Sequence, residues 1–73
     1  MPRETVKSPI TGTVWKIEKH EGDDVAEGDV IVILESMKME IPIETMSDGK
    51  VTKLHITEGQ PIREGDPVAE VES

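Results

Sequence analysis

Residues 12–36, GTVWKIEKHEGDDVAEGDVIVILES, and residues 49–73, GKVTKLHITEGQPIREGDPVAEVES, are two versions of one sequence. When the chain is shifted by 37 positions, the two stretches align without a gap and ten of their 25 positions are identical. Five further positions carry apolar side chains in both copies. A repeat of this kind indicates two copies of one supersecondary unit, neither of which can bury its apolar side alone.

Both copies have the pattern of short strands separated by turns. Each contains a Glu-Gly pair and a Glu-Gly-Asp triplet, which are typical of turns because glycine adopts positive φ and aspartate accepts backbone hydrogen bonds. Regular short strands with such turns indicate a β-sandwich or barrel. The predicted strands cover residues 13–19, 30–35, 40–44, 50–56 and 67–72, with a short strand near 5–8 and single bridges near Val25 and Ile62.

We therefore predict one all-β domain over residues 1–73, whose halves, 12–36 and 49–73, pack with approximate two-fold symmetry. Residues 37–48 join the halves without a counterpart in the repeat, and the first eleven residues are expected to add an edge strand. The predicted core consists of the positions that are apolar in both copies: Val14, Ile17, Val25, Ile31, Val32, Leu34, Val51, Leu54, Ile62, Val68, Ala69 and Val71.

Three further residues carry structural expectations. Pro42 and Pro67 each lack the N–H that a sheet ladder needs, so their strands are expected to be edges there. Trp15 aligns with Thr52 in the repeat. Its side chain is therefore expected to face outward or to cover a sheet edge. We expect it to pack against the N-terminal segment, and the alternative is an exposed tryptophan that marks a contact patch.

The composition excludes several classes of protein. The 73 residues contain no cysteine and 1% aromatic residues, so the core must be aliphatic and without disulfides or thiolate metal sites. The net charge of −8 argues against nucleic-acid binding and suits a soluble monomer.

No apolar run reaches the roughly 18 residues of a membrane span, and no signal peptide opens the chain, so the cytoplasm is the expected compartment. Starting at Met1 and ending just after the last strand, the chain is expected to be a free-standing polypeptide.

The segment that joins the two copies is unusual for a hairpin. Met37-Lys38-Met39 lies directly between two predicted strands, yet it lacks the Gly, Asn and Asp that favour tight turns. Local propensity that disagrees with the fold marks a candidate functional site. Lys38 is therefore predicted at the exposed tip of a tight hairpin, accessible to a modifying enzyme. Such a tip does not provide the burial or nearby positive charge that a catalytic amine needs. The alternative is an ordinary solvated turn lysine between methionines that cap the core.

The motifs around Lys38 resemble those of the biotinyl/lipoyl attachment domains. The hexapeptide Glu35-Ser36-Met37-Lys38-Met39-Glu40 resembles the biotin-attachment signature, in which methionines flank the lysine, although Ser36 stands where alanine is commoner. The stretch from Ser8 to Val14 resembles the Pro-x-x-Gly opening of these domains, and Asp48-Gly49 resembles the start of their second half. The resemblance extends over residues 6–72.

The resemblance implies a flattened barrel of two four-stranded antiparallel sheets related by a pseudo-two-fold axis. It implies that a biotin protein ligase joins biotin to Lys38 through an amide. Glu35, Ser36, Met37, Met39 and Glu40 would be recognition residues. It also implies that a biotin carboxylase loads the biotinyl arm and that a carboxyltransferase unloads it. The chain is thus expected to be a biotin carboxyl carrier and not an enzyme.

Two alternatives share this fold. A lipoyl carrier of a 2-oxo-acid dehydrogenase is disfavoured, because lipoyl domains more often have Asp before the lysine and Ala after it. A structural adaptor barrel without any modification has no need of an exposed Met-Lys-Met tip. A metal site is not expected either, because His20 and His55 occupy non-equivalent positions in the repeat and no cysteine or third histidine accompanies them.

Overall fold

The regular structure of the chain consists of β-strands. The computed structural model describes residues 2–73, which form eight strands in this order: β1 Arg3–Lys7, β2 Gly12–Ile17, β3 Asp24–Val25, β4 Val30–Ser36, β5 Met39–Glu44, β6 Gly49–Leu54, β7 Pro61–Ile62 and β8 Pro67–Glu72. The predicted strands are all present, although β2 and β6 each end two residues earlier than expected. No helix able to cross a membrane occurs in residues 2–73.

The strands pair into two four-stranded antiparallel sheets. Sheet A has the order β1-β8-β6-β3, and sheet B has the order β5-β4-β2-β7. An aliphatic core lies between the sheets, and the face of each sheet that points away from this core is its outer face. The predicted all-β sandwich of two four-stranded sheets is confirmed, and the first residues of the chain add the expected edge strand, β1.

The repeat extends further than the sequence indicated. β5 and β1 occupy the same place in the two sheets, at the edge beside β4 and β8 respectively. Thr45, which follows β5, and Ser8, which follows β1, are both buried. Gly28 N–H donates to the Thr45 carbonyl at 2.8 Å, and Gly65 N–H donates to the Ser8 carbonyl at 2.7 Å. The expectation that all of residues 37–48 lack a counterpart was therefore wrong, because residues 39–45 match residues 2–8 at the same offset of 37.

Bulges also recur at equivalent positions. The register slips at Trp15 where β2 pairs with β4, and it slips at Thr52 where β6 pairs with β8. It slips again at Ile31 in β4 and at Val68 in β8. A bulge puts two consecutive side chains on similar sides of a strand. This explains why β4 and β8 each bury two residues in succession.

Most of the predicted core is buried, with corrections at the strand ends. Ile17 and Leu54 are only half-buried, because they are the last residues of β2 and β6 and pack against the margin of the core. Val6, Ile43 and Ile56 are buried although they were not predicted. Val6 and Ile43 were missed because they belong to β1 and β5, whose sequences are too dissimilar to reveal the repeat.

The two halves are joined by reciprocal hydrogen bonds. The Glu58 carboxylate accepts a bond from Ile17 N–H at 3.1 Å, and the Glu21 carboxylate accepts one from Leu54 N–H at 3.0 Å. Each glutamate is the Glu of a Glu-Gly pair. A glutamate in a turn of one half thus accepts a hydrogen bond from the backbone N–H at a strand end of the other half, where the sheet ladder no longer provides an acceptor.

The prolines follow the expectation in one case only. Pro42 lies on β5, an edge strand of sheet B, as predicted. Pro67 lies on β8, which is an inner strand between β1 and β6, so the prediction of an edge was wrong. Pro67 is tolerated because it is the first residue of β8, and pairing with β6 begins only two residues later, at Ala69.

Gly12 and Gly49 allow two backbone segments to approach closely. A Cβ added at Gly12 would lie 2.7 Å from the Glu35 carbonyl oxygen, and one at Gly49 would overlap the Glu72 carbonyl. These two contacts are equivalent in the repeat. Each glycine therefore lets the end of a neighbouring strand lie close to it, and Gly12 does so at Glu35, beside the turn of the β4–β5 hairpin.

We expect Gly12→Ala to lower the free energy of unfolding by about 1–3 kcal/mol, because the new methyl group meets backbone that cannot move freely. Urea unfolding measures this effect. Thr13→Ala, at the adjacent exposed position, is the control and should change stability by less than about 0.5 kcal/mol. Equal stabilities of Gly12→Ala and the wild type would contradict the close approach.

Glu70 is the centre of a polar network on the outer face of sheet A. His55 Nε2 lies 2.9 Å from one Glu70 carboxylate oxygen, and Thr5 Oγ1 donates to the other at 2.8 Å. These hydrogen bonds, that of His55 first, hold the pKa of Glu70 below its ordinary value of 4.5. The ionised carboxylate is therefore favoured in the folded state.

A lowered folded-state pKa makes Glu70 stabilising above pH 4.5, and this contribution is lost as the pH falls through the folded-state pKa. We expect the wild type to be more stable than Glu70→Gln near neutral pH and the difference to shrink below pH 4.5. Urea unfolding of both proteins at a series of pH values measures this. A difference that stays constant across the series would contradict the role of the ionised carboxylate.

Candidate functional site

The hairpin between β4 and β5 has a turn of two residues. Ser36 and Met39 form the last pair of the ladder, and Met37 and Lys38 connect them. Met37 has a φ of 51° and Lys38 a φ of 68°. Positive φ at both central residues is the geometry of a type I′ turn, whose twist matches that of the two strands. The predicted tight hairpin with Lys38 at its tip is confirmed.

This turn is unfavourable for the residues that form it. Among residues 2–73, Met37 and Lys38 are the non-glycine residues with positive φ. A left-handed backbone costs an L-residue roughly 1–2 kcal/mol, which is why such turns are usually Asn-Gly. The β4–β5 ladder, which runs from Val30 and Glu44 up to the turn, imposes the conformation. The turn sequence is therefore not the one that hairpin stability favours.

The side chains of the tip are exposed to solvent. Lys38 is exposed, Met37 is 92% exposed, and Met39 is 63% exposed. Such exposed methionines are unusual because the apolar thioether gains nothing from water, whereas flexible thioethers adapt well to a partner surface. The alternative in which these methionines cap the core is therefore excluded. The tip presents an amine between two apolar side chains.

Two glutamates oppose each other directly below the tip. Glu35 and Glu40 are cross-strand partners, and both side chains are exposed. Like charges at directly opposed positions of a sheet are destabilising. Of the ion pairs found within residues 2–73, none includes either glutamate. Lys38 is therefore the nearest cation along the chain to an uncompensated pair of negative charges.

Within residues 2–73 there is no pocket and no group of three His, Cys, Asp or Glu side chains arranged for a metal ion. His55 takes part in the Glu70 network, and His20 is exposed, its backbone N–H bonded to Asp23 at 2.8 Å. The Lys38 hairpin is thus the feature of this surface that sequence and geometry both single out.

The recognition residues predicted from the sequence lie together around Lys38. Ser36 and Met39 close the turn as a pair, and Glu35 and Glu40 form the next pair. Gly12, whose backbone supports Glu35, was not predicted as part of the site. The signal that could have identified it is its identity with Gly49 in the repeat.

We expect Met37→Asn to raise the free energy of unfolding by about 0.5–1 kcal/mol, because asparagine tolerates positive φ better than methionine. Urea unfolding measures this gain. Met46→Asn is the matched control, since Met46 is also exposed but has no positive φ, and its stability should not rise. A gain in both variants would show that loss of an exposed methionine, rather than relief of the turn, is responsible.

The chain is similar over most of its length to proteins that contain biotin domains. It is 42% identical over 66 residues to the biotinylated protein TB7.3 homolog of Mycobacterium leprae, covering 90% of this chain and 93% of that protein. It is 41% identical over 68 residues to the biotin-dependent acyl-coenzyme A carboxylase alpha3 subunit of the same organism, covering 93% of this chain and 11% of that subunit. The chain thus spans about a tenth of the larger relative.

Solved structures agree with the architecture. The urea carboxylase of Kluyveromyces lactis matches with a TM-score of 0.92 and 35% identity, over 99% of this chain and 6% of that one. The lipoyl domain of the 2-oxoglutarate dehydrogenase complex of Azotobacter vinelandii matches with a TM-score of 0.78 and 23% identity, over 94% of this chain and 95% of that one, which is a likeness of fold alone. The family model described as "Biotin-requiring enzyme" matches residues 4–71, and the chain belongs to this biotin/lipoyl attachment family.

Proposed function

We propose that this chain is a biotin carboxyl carrier domain and that Lys38 is the residue that bears the biotin. The observation that carries the proposal is the turn at residues 37–38. It places an exposed amine, flanked by exposed methionines, on two residues whose backbone conformation is unfavourable for them. Residues that are unfavourable for the turn in which they stand indicate that the turn serves an interaction rather than the stability of the hairpin.

The comparisons bear out the predicted biotin carrier and its covalent biotin. The matched family is named for biotin, and relatives with 40% identity or more over most of this chain include a biotinylated protein and a biotin/lipoyl attachment protein. The lipoyl alternative is less favoured, since the lipoyl domain of known structure shares only the fold at 23% identity. The unmodified adaptor is disfavoured by the exposed Met-Lys-Met tip.

The hairpin suits attachment by a biotin protein ligase. The ligase activates the carboxyl group of biotin as biotinyl-adenylate, and Lys38 Nζ attacks that carbonyl. The new C–N bond forms as the C–O bond to AMP breaks, and the amine loses a proton to the ligase. The tip exposes Lys38 to a ligase, and the exposed thioethers of Met37 and Met39 supply apolar surface that a ligase can contact.

The loaded domain then serves as a mobile substrate. A biotin carboxylase attaches a carboxyl group to the biotinyl arm with ATP and bicarbonate, and a carboxyltransferase passes it to an acceptor. The domain contributes reach and a high effective concentration of the arm at each active site. It needs no acid–base groups of its own, and we propose that it works as a monomeric, non-catalytic carrier in the cytoplasm.

We expect biotinylation at Lys38 to add about 226 Da to the intact mass after incubation with biotin, ATP and a biotin protein ligase. Lys38→Arg should show no gain, because the guanidinium is not a nucleophile under these conditions. Lys50→Arg, which removes an exposed lysine from sheet A, is the control and should be modified like the wild type. A gain of about 188 Da by a lipoyl-attaching enzyme instead would support the lipoyl alternative. Biotin on another lysine would contradict the assignment of Lys38.

A further inference from the structure

The outer faces of the two sheets differ in a way that the fold does not require. The offset of 37 relates Trp15 to Thr52, Ile33 to Glu70, and Pro42 to Thr5. The apolar member of each pair is in sheet B, the sheet that carries Lys38, and the polar member is in sheet A. Ile33 and Pro42 are direct cross-strand partners, and Trp15, at the neighbouring bulge, is 47% exposed.

Sheet A shows what the same scaffold does without these apolar residues. Glu70 accepts a hydrogen bond from Thr5 at 2.8 Å and lies 2.9 Å from His55, and Thr52 Oγ1 lies 3.4 Å from the Glu70 carbonyl. The bulges and pairings of the two sheets are otherwise equivalent. The equivalent positions of this scaffold thus accommodate polar as well as apolar side chains. The expectation that Trp15 faces outward is confirmed, but it lies in sheet B, whereas the N-terminal strand β1 belongs to sheet A, so packing against that segment was wrong.

The charges differ between the sheets as well. In sheet A, Glu72 has cations on both neighbouring strands: Arg3, at 3.3 Å, and Lys50. The equivalent residue in sheet B, Glu35, has Glu40 and Thr13 as its neighbours.

The edge strands continue this difference. Glu44 of β5 is exposed and stands where β1 has Lys7. The outer face of sheet B therefore combines apolar side chains with three glutamates and one ladder cation, Lys16, which is the cross-strand partner of Ile33 and lies 3.8 Å from Glu18. We call it the sheet B face: Trp15, Lys16, Ile33, Pro42, Glu35, Glu40 and Glu44.

We propose that the sheet B face is the surface on which a biotin carboxylase docks, through an apolar patch bordered by Lys and Arg side chains. This inference rests on the proposed function. Charge complementarity favours such a partner, since an enzyme that binds ATP and bicarbonate presents positive charge around its active site. Apolar side chains at the centre with charges at the rim are the usual composition of a protein interface.

Modification of Lys38 strengthens this complementarity. Amide formation removes the positive charge of Lys38, two residues from Glu40 and three from Glu35. The face is therefore more acidic after biotinylation, so that a basic partner binds the loaded domain better than the unloaded one. This distinguishes the carboxylase, which needs the loaded domain, from the ligase, which needs the unloaded one. Ile33 is five residues from Lys38, about 17 Å along the strand, so a partner held there has the arm within reach.

The test uses biotinylated domain as the varied substrate of the biotin carboxylase encoded in the same genome. We expect Trp15→Thr, which copies the residue of sheet A, to raise KM at least about fivefold with little change in kcat. Thr52→Trp, the reverse change on sheet A, is the matched control and should leave KM within about twofold of the wild type. Urea unfolding of both variants checks that the fold is kept.

The rate of modification by the ligase separates the possible outcomes. Trp15→Thr should be biotinylated at a rate within about twofold of the wild-type rate. An unchanged KM for the carboxylase, an equal loss in the ligase reaction, or a loss confined to the carboxyltransferase reaction would each overturn the proposal. A domain that is not biotinylated at Lys38 at all refutes the proposed function instead, and intact mass reveals this first.

Charge is tested separately with Glu44→Lys, which copies Lys7 of sheet A. We expect its KM for the carboxylase to be higher than that of the wild type at low salt, and the two values to converge as salt screens the attraction. A KM that is the same for both proteins at low salt would contradict the proposed basic rim of the partner.

Discussion

Everything in this structure depends on the packing of two similar β units around one shared core. Each unit supplies half of one aliphatic core, and backbone hydrogen bonds join each unit to the other. Val14 N–H donates to the Gln60 carbonyl at 2.8 Å, and Val51 N–H donates to the Asp23 carbonyl at 2.9 Å. The small chain has no disulfide or large aromatic core to replace this mutual closure.

The position of the Lys38 hairpin tip follows from this symmetry. Residues 2–36 and 39–73 are equivalent at an offset of 37, so only Met37 and Lys38 separate the two copies. A connection of two residues between twisted antiparallel strands favours a type I′ or II′ turn, and the type I′ turn found here has positive φ at both residues. The two strands that meet there belong to a long, well-paired hairpin, which holds the turn in that conformation. A rigid scaffold thus presents a flexible side chain, which is the combination a carrier needs.

Function is most visible where the two halves differ. The core, the bulges and the turns are nearly the same in both copies, and they explain the stability of the domain. The outer faces are not the same. Sheet A has a satisfied polar network around Glu70, whereas sheet B has Trp15 and the opposed Glu35–Glu40 pair. Because the symmetric scaffold accepts either set of residues, interactions with other molecules are the natural reason for the difference.

The sequence by itself determined the class of fold, most of the core and the position of Lys38. Turn residues that are identical in both copies indicate where the backbone turns, and positions that are apolar in both copies indicate which side chains are buried. It did not reveal that β1 and β5 are equivalent, since edge strands are exposed and their outward residues vary freely. It also misassigned Pro67, because strand order is a property of the assembled sheets. Only the tertiary structure decided that Trp15, Ile33 and Pro42 share a sheet with Lys38 and that Glu35 lies against Glu40. Cross-strand neighbours are set by register, and register arises when the two copies pack together.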